Sequence, residues 1–92
     1  MLYLLLCEDK PDSQSLRLAT RDAHLAYVAE RVASVRLAGP LLADDGESMI
    51  GSLFILEAED ADQVTAFHEA DPYTRAGLWE KVTIRPFRQA LP

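Results

Sequence analysis

The hydrophobic positions fall into two rhythms. Leu2-Tyr3-Leu4-Leu5-Leu6-Cys7 is an unbroken apolar run of strand length, which predicts a strand covered on both faces. A polar break from Glu8 to Asp12, containing Lys10-Pro11, closes it. A helical stretch follows. Ser13 stands as an N-cap ahead of a short apolar face of Leu16 and Ala19. Thr20 then reads as a second N-cap, with Asp22 in the first turn, where its charge suits the helix dipole. From there Leu25, Val28, Ala29 and Val32 recur at i, i+3, i+4 and i+7 and define one helical stripe.

Val35 to Leu42 predicts a second strand, interrupted by Gly39-Pro40. Proline has no N–H to give a ladder, so this strand belongs at an edge or a bend. Asp44-Asp45-Gly46 signals a hairpin turn, and Ile50 to Glu57 a third strand. Asp60 and Gln63 form an approximate capping box for a second helix, buried through Ala61, Val64 and Phe67. Pro72 stops it, because the residue before proline avoids the α region. Trp79 to Phe87, carrying Glu80, Lys81, Thr83, Arg85 and Pro86, suits a fourth strand at an edge.

The predicted order is β-α-β-β-α-β, a single α+β domain over residues 1–92 with the ferredoxin-like split βαβ pattern. Both helices are expected on one face of an antiparallel sheet, with the first and third strands central. Those strands are apolar at both parities: Leu4 and Leu6 against Tyr3 and Leu5, Leu53 and Ile55 against Phe54 and Leu56. Helices cover only one parity. The remaining apolar face predicts a homodimer packed sheet to sheet.

Composition narrows the function classes. With 92 residues, 49% apolar and 26% charged, the chain has the makeup of one small globular unit. A net charge of −6 disfavours nucleic acid and anionic membrane surfaces as partners. Cys7 is alone, which excludes an intrachain disulfide, and in its apolar run it reads as a small buried hydrophobe. The opening apolar run is too short to span a membrane, no basic residue precedes it, and Glu8-Asp9 follow it. A cytoplasmic location is the expectation.

Candidate chemistry concentrates in few residues. Histidine is the usual proton carrier at neutral pH, and the chain has two, His24 and His68. At 100° per residue His24 lies about a quarter turn from the centre of the Leu25 stripe, a boundary position from which it is held yet able to reach a ligand. Asp71 ends the second helix, at the unfavourable end of its dipole. An Asp71 carboxylate bonded to one imidazole nitrogen would fix the His24 tautomer and aim the other nitrogen at a pocket as a general base. Read singly, each has a plain structural explanation: a partly exposed or capping histidine, and an Asp-Pro stop. His68, one turn before Asp71, is expected on the outer helix face. No metal is predicted, because three ligands of convergent spacing are lacking. Gly39, Gly46, Gly51 and Gly77 form no phosphate loop, and Ser13, Ser15, Ser34, Ser48 and Ser52 sit in no nucleophile elbow. Tyr27 and Tyr73 are candidate pocket walls. Arg17, placed ahead of the main helix, is a candidate partner for a substrate carboxylate.

Several of these segments, taken together, resemble one family. Leu4 to Pro11 looks like an opening strand and loop. Arg17-Leu18-Ala19-Thr20-Arg21-Asp22-Ala23-His24-Leu25-Ala26-Tyr27 is similar to an R-x-x-x-R-x-x-H-x-x-[YF] helix segment. Leu37 to Leu41 resembles an A-G-P strand, Ala70-Asp71-Pro72-Tyr73 a D-P-[YF] motif, and Trp79 to Phe87 a closing strand. This ordered set resembles the YciI-like, or YCII-related, family over essentially the whole chain. The resemblance implies a ferredoxin-like fold in a dimeric α+β barrel and an active site built on a His–Asp pair, here His24 and Asp71. It adds Gly39 and Pro40 to Arg17, Tyr27 and Tyr73 as substrate-binding candidates. Where members have a known role it can be dehydrochlorinase-type chemistry in aromatic degradation, and related folds include muconolactone isomerases. Asp22 departs from the pattern, standing where a proline is common.

Two functions remain open on these grounds. One is an enzyme without cofactor, of lyase or isomerase type, in which His24 moves a proton on a small molecule. The other is a non-catalytic small-ligand-binding or accessory module that uses the same pocket.

Overall fold

The computed structural model describes every residue from Met1 to Pro92. Four strands, β1 (Leu2–Asp9), β2 (Val35–Leu42), β3 (Met49–Glu57) and β4 (Trp79–Phe87), form one antiparallel sheet in the order β2-β3-β1-β4. The most apolar strands, β1 and β3, are central, and the two carrying proline are the edges, as a missing N–H requires. The ferredoxin-like α+β architecture expected from the element order is the one observed.

Register decides which parity meets the helices. Tyr3, Leu5 and Cys7 pair across β1–β3 with Leu56, Phe54 and Ser52. All six are buried, and Val64 of α2 (Ala61–Ala70) joins the apolar members in one core cluster. The alternate residues Leu4 and Leu6, opposite Ile55 and Leu53, line the other face. Leu37 on β2 extends that face and is 58% exposed. Gly51 permits the close packing of the central strands, since a Cβ there would come within 2.6 Å of the Cys7 carbonyl oxygen.

The helices depart from expectation in two places. The first is a single α1 (Gln14–Ala29), not a helix starting at Thr20. Ser13 does occupy the N-cap position, without a side-chain cap bond. Thr20 stays helical by turning its Oγ1 back to donate to the Leu16 carbonyl at 2.9 Å. The buried face of α1 is also not the Leu25/Val28/Ala29/Val32 stripe. Leu25 is exposed, and Val32 lies beyond the helix in a 3₁₀ turn (Val32–Ser34). The residues turned inward are Arg17, His24 and, partly, Val28, about a quarter turn away. The second departure follows Pro72. Proline does end α2, but a further short helix, α3 (Pro72–Arg75), begins at once. Proline at the first helical position lacks an N–H that would be unpaired there anyway. α2 itself is capped as predicted: Asp60 accepts from the Gln63 N–H at 3.0 Å, and Gln63 Oε1 accepts from the Glu59 N–H at 2.9 Å.

Candidate active site

His24 and Asp71 meet. His24 Nδ1 lies 2.8 Å from Asp71 Oδ1, and the same oxygen accepts the Tyr73 N–H at 2.9 Å. The second bond is the N-cap of α3. Asp71 is therefore less anomalous than its place at the end of α2 suggests, because its carboxylate also sits at the favourable start of α3. A carboxylate only accepts, so Nδ1 is the donor and carries the proton. In the neutral imidazole Nε2 then carries the lone pair, and it has no partner within the protein. No buried side-chain nitrogen or oxygen is left unpaired, so Nε2 keeps access to its surroundings.

Aromatic packing holds the imidazole in place. Tyr73 stacks on it at 4.0 Å between ring centres and 19° between planes, and Phe54 meets it edge-on at 6.0 Å. Trp79 packs edge-on against Tyr73 at 5.5 Å. Burial raises the Tyr73 phenol above its ordinary value, although Arg17 and Arg21 pull the other way. Beside these rings opens a cleft of about 120 Å³ between α1, β2 and β3, lined in part by His24, Arg17, Arg21, Ser52, Phe54 and Tyr73.

Of the substrate-binding candidates, the structure gathers four. Tyr73, Gly39, Pro40 and Arg17 border the cleft. Arg17, however, does not precede the main helix. It lies inside α1, is 3% exposed, and forms a two-point ion pair with Asp9: Nε to Oδ2 at 2.8 Å and Nη2 to Oδ1 at 2.9 Å. Burial alone would lower its guanidinium, but Asp9 more than offsets this and holds it above the ordinary value. Tyr27 does not reach the cleft. Its hydroxyl donates to the Phe67 carbonyl at 2.7 Å and its ring lies under Arg31, on the side of α1 that faces α2. A tyrosine three positions from His24 is nearly a full turn round but on the flank of the face, and that flank meets α2.

His68 is half-buried rather than on the outer face, with Nδ1 3.2 Å from Thr74 Oγ1; that hydroxyl also accepts from Trp79 Nε1 at 2.8 Å. It does not compete for Asp71. Cys7 is buried; desolvation first, then the Asp71 and Asp9 carboxylates, push its thiol up to about 12, so no thiolate is available. No group of three metal-ligating side chains comes together. Sequence reasoning passed over Ser52 and Arg21. Ser52 accepts from Arg17 Nη2 at 3.1 Å, and both line the cleft. The alternation along β3 does place Ser52 on the helix-facing side, and a serine there, among Phe54 and Leu56, was the available signal.

The YCII-related domain profile matches residues 1–88. The chain belongs to the YCII-related domain family. Protein YciI of Escherichia coli O6:H1 is 38% identical over 96 aligned positions, covering 97% of this chain and 98% of its own. An uncharacterised protein of Haemophilus influenzae is 33% identical with the same coverage. Among solved structures, 5-chloro-2-hydroxyhydroquinone dehydrochlorinase (TftG) of Burkholderia phenoliruptrix AC1100, in complex with 2,5-dihydroxybenzoquinone, superposes with a TM-score of 0.90 at 35% identity. The match covers 98% of this chain and 96% of that one. Rv0793 of Mycobacterium tuberculosis shares the fold at a TM-score of 0.51 and 17% identity. No helix in this YCII-related protein is long and apolar enough to cross a membrane.

Proposed function

We propose that this protein is a cofactor-independent enzyme that moves a proton on a small oxygenated ring, with His24 as general base and acid and Asp71 as the residue that orients it. The carrying observation is the 2.8 Å bond from Nδ1 to Asp71, which leaves Nε2 as the basic nitrogen of a residue that lines the cleft. The cleft of about 120 Å³ has the scale of a single aromatic ring, for which a cavity of roughly 150 Å³ is ample. The structural relative that binds 2,5-dihydroxybenzoquinone supports the same substrate size and elimination of chloride; isomerisation is the other outcome of the same proton transfer.

The test is chloride release from 5-chloro-2-hydroxyhydroquinone. Positioned acid–base catalysis contributes about 10²–10⁴-fold, so His24→Gln should lower turnover by that factor while the variant still unfolds cooperatively. A fully active His24→Gln protein would sink the proposal. Ligand binding with no turnover on this or related rings would favour the accessory-module reading instead.

The sheet face opposite the helices supports a homodimer. Leu4, Leu6, Leu37 and Leu53 form a contiguous apolar surface with no element of the chain across it. Sedimentation at micromolar concentration should find two copies, and a monomer there would overturn this part of the reading.

A further inference from the structure

The cleft beside His24 is lined by donors and cations and by no acid. Arg17, Arg21, His24, Ser52 and Tyr73 supply its polar lining, whereas Asp9 and Asp71 hold Arg17 and His24 from behind and do not border it. Two of these donors have capacity that nothing in the protein uses. Arg17 gives its Nε–H and both Nη2 hydrogens to Asp9 and Ser52, and its side chain also bonds that of Tyr73, so of its five N–H groups one remains to offer. Ser52 Oγ accepts from Arg17, and a hydroxyl that accepts still has its own proton to give; no acceptor in the protein takes it. Both residues are held rigidly, Arg17 by the two-point ion pair and by the Tyr73 ring 4.7 Å from its Cζ, Ser52 by its place in the central strand β3. Donors fixed in advance are what a developing negative charge requires, because they need no reorganisation when it forms.

We propose that Arg17 and Ser52 form the oxyanion-holding part of the cleft, so that its ligands are small molecules bearing an enolate or ionised ring-hydroxyl oxygen. This rests on the reading of His24 as the base and names the substrate class for it. In the step that follows, the ring reacts as its diketo tautomer, with chlorine on a saturated carbon, and His24 Nε2 takes the proton as the C–H bond beside one carbonyl breaks. The electron pair of that bond moves into the ring and onto the conjugated carbonyl oxygen, which Arg17 Nη1–H and Ser52 O–H receive. Collapse of the enolate either expels chloride, with the proton left on His24, or takes the proton back at another carbon. The first outcome is elimination and the second isomerisation.

Binding of two probes by titration calorimetry tests this: 2,5-dihydroxybenzoquinone, ionised at neutral pH, and uncharged hydroquinone. The wild-type protein should prefer the anion. Ser52→Ala should weaken the anion about tenfold and leave hydroquinone within about twofold, as expected for loss of one hydrogen bond to a charged group. The pair Arg17→Met with Asp9→Leu removes both buried charges together, so no carboxylate is left stranded, and should weaken the anion by about tenfold or more. Equal affinity for the two probes, binding of neither, or an unchanged preference in both the Ser52 and the paired variant overturns the proposal. Loss of the anion preference alongside His24-dependent turnover would remove the oxyanion site and spare the general base. An anion preference with turnover indifferent to His24 would remove the base and spare the oxyanion site.

Discussion

Helices α1 and α2 lie on the same face of the sheet but meet it with different chemistry. α2 enters the core through Val64 and Phe67, and its N-terminus is closed by Asp60 and Gln63. α1 turns Arg17 and His24 inward, while Leu16, Leu18 and Leu25 stay exposed. A helix normally buries its apolar stripe because water is expelled from it. In α1 two polar side chains take that place, each matched by a carboxylate: Asp9 for Arg17 and Asp71 for His24. Buried polar groups are tolerated when every one is paired, and none here is left unpaired. α2 thus serves mainly stability, and α1 gives up part of its apolar burial to hold Arg17 and His24 beside the cleft.

The sharpest way to break this contrast is to remove one partner from α1. Arg17→Met leaves the Asp9 carboxylate buried without its cation, and such losses cost about 3–5 kcal/mol. Denaturant unfolding should show a drop of this size, and most of it should return when Asp9→Leu is added. If the single variant is as stable as wild type, the pair is not structural. On α2 the expected loss is smaller. Val64→Ala removes two buried carbons and should cost about 2 kcal/mol by the same measurement, with anion binding in the cleft unchanged. A Val64→Ala protein that lost ligand binding would show that the division of labour is false. The smallest effect concerns His68, at the end of α2. Burial holds its imidazole below the ordinary value of 6.5, against the pull of Asp71 and Glu69. The unfolded chain then binds the proton more readily than the folded one. The His68 contribution is whole above pH 6.5 and is lost as pH falls from there through the depressed folded value. Melting temperature should drop less between pH 7.5 and 5.5 in His68→Gln than in wild type; equal drops would show that His68 is not linked to folding.

The same contrast explains what could be read from the residues. The strands, the edge positions of β2 and β4, and the cap of α2 follow local rules of apolar runs, proline chemistry and capping, and the structure agrees with them; of the expected buried side of α2, Val64 and Phe67 pack inward while Ala61 is exposed. The face of α1 was misjudged by about a quarter turn because periodicity tracks hydrophobicity, and the inward residues of α1 are charged or titratable. α3 was missed for a similar reason. Asp71-Pro72 looks the same whether it only stops α2 or also starts a new turn, and the difference lies in the Tyr73 N–H bond.

Local sequence was enough for the element order, the two central strands, the apolar second face of the sheet and the presence of a histidine and an aspartate suited to proton transfer. Those features depend on interactions between near neighbours or on averages over a strand. The fold alone decided that His24 and Asp71, 47 residues apart, share a 2.8 Å hydrogen bond; that Arg17 is spoken for by Asp9 while it also bonds Ser52; and that Ser52 lines the cleft while Tyr27 does not. Each of these turns on how α1 is rotated against the sheet. That rotation is set by pairing buried charges across distant segments, which no local periodicity encodes.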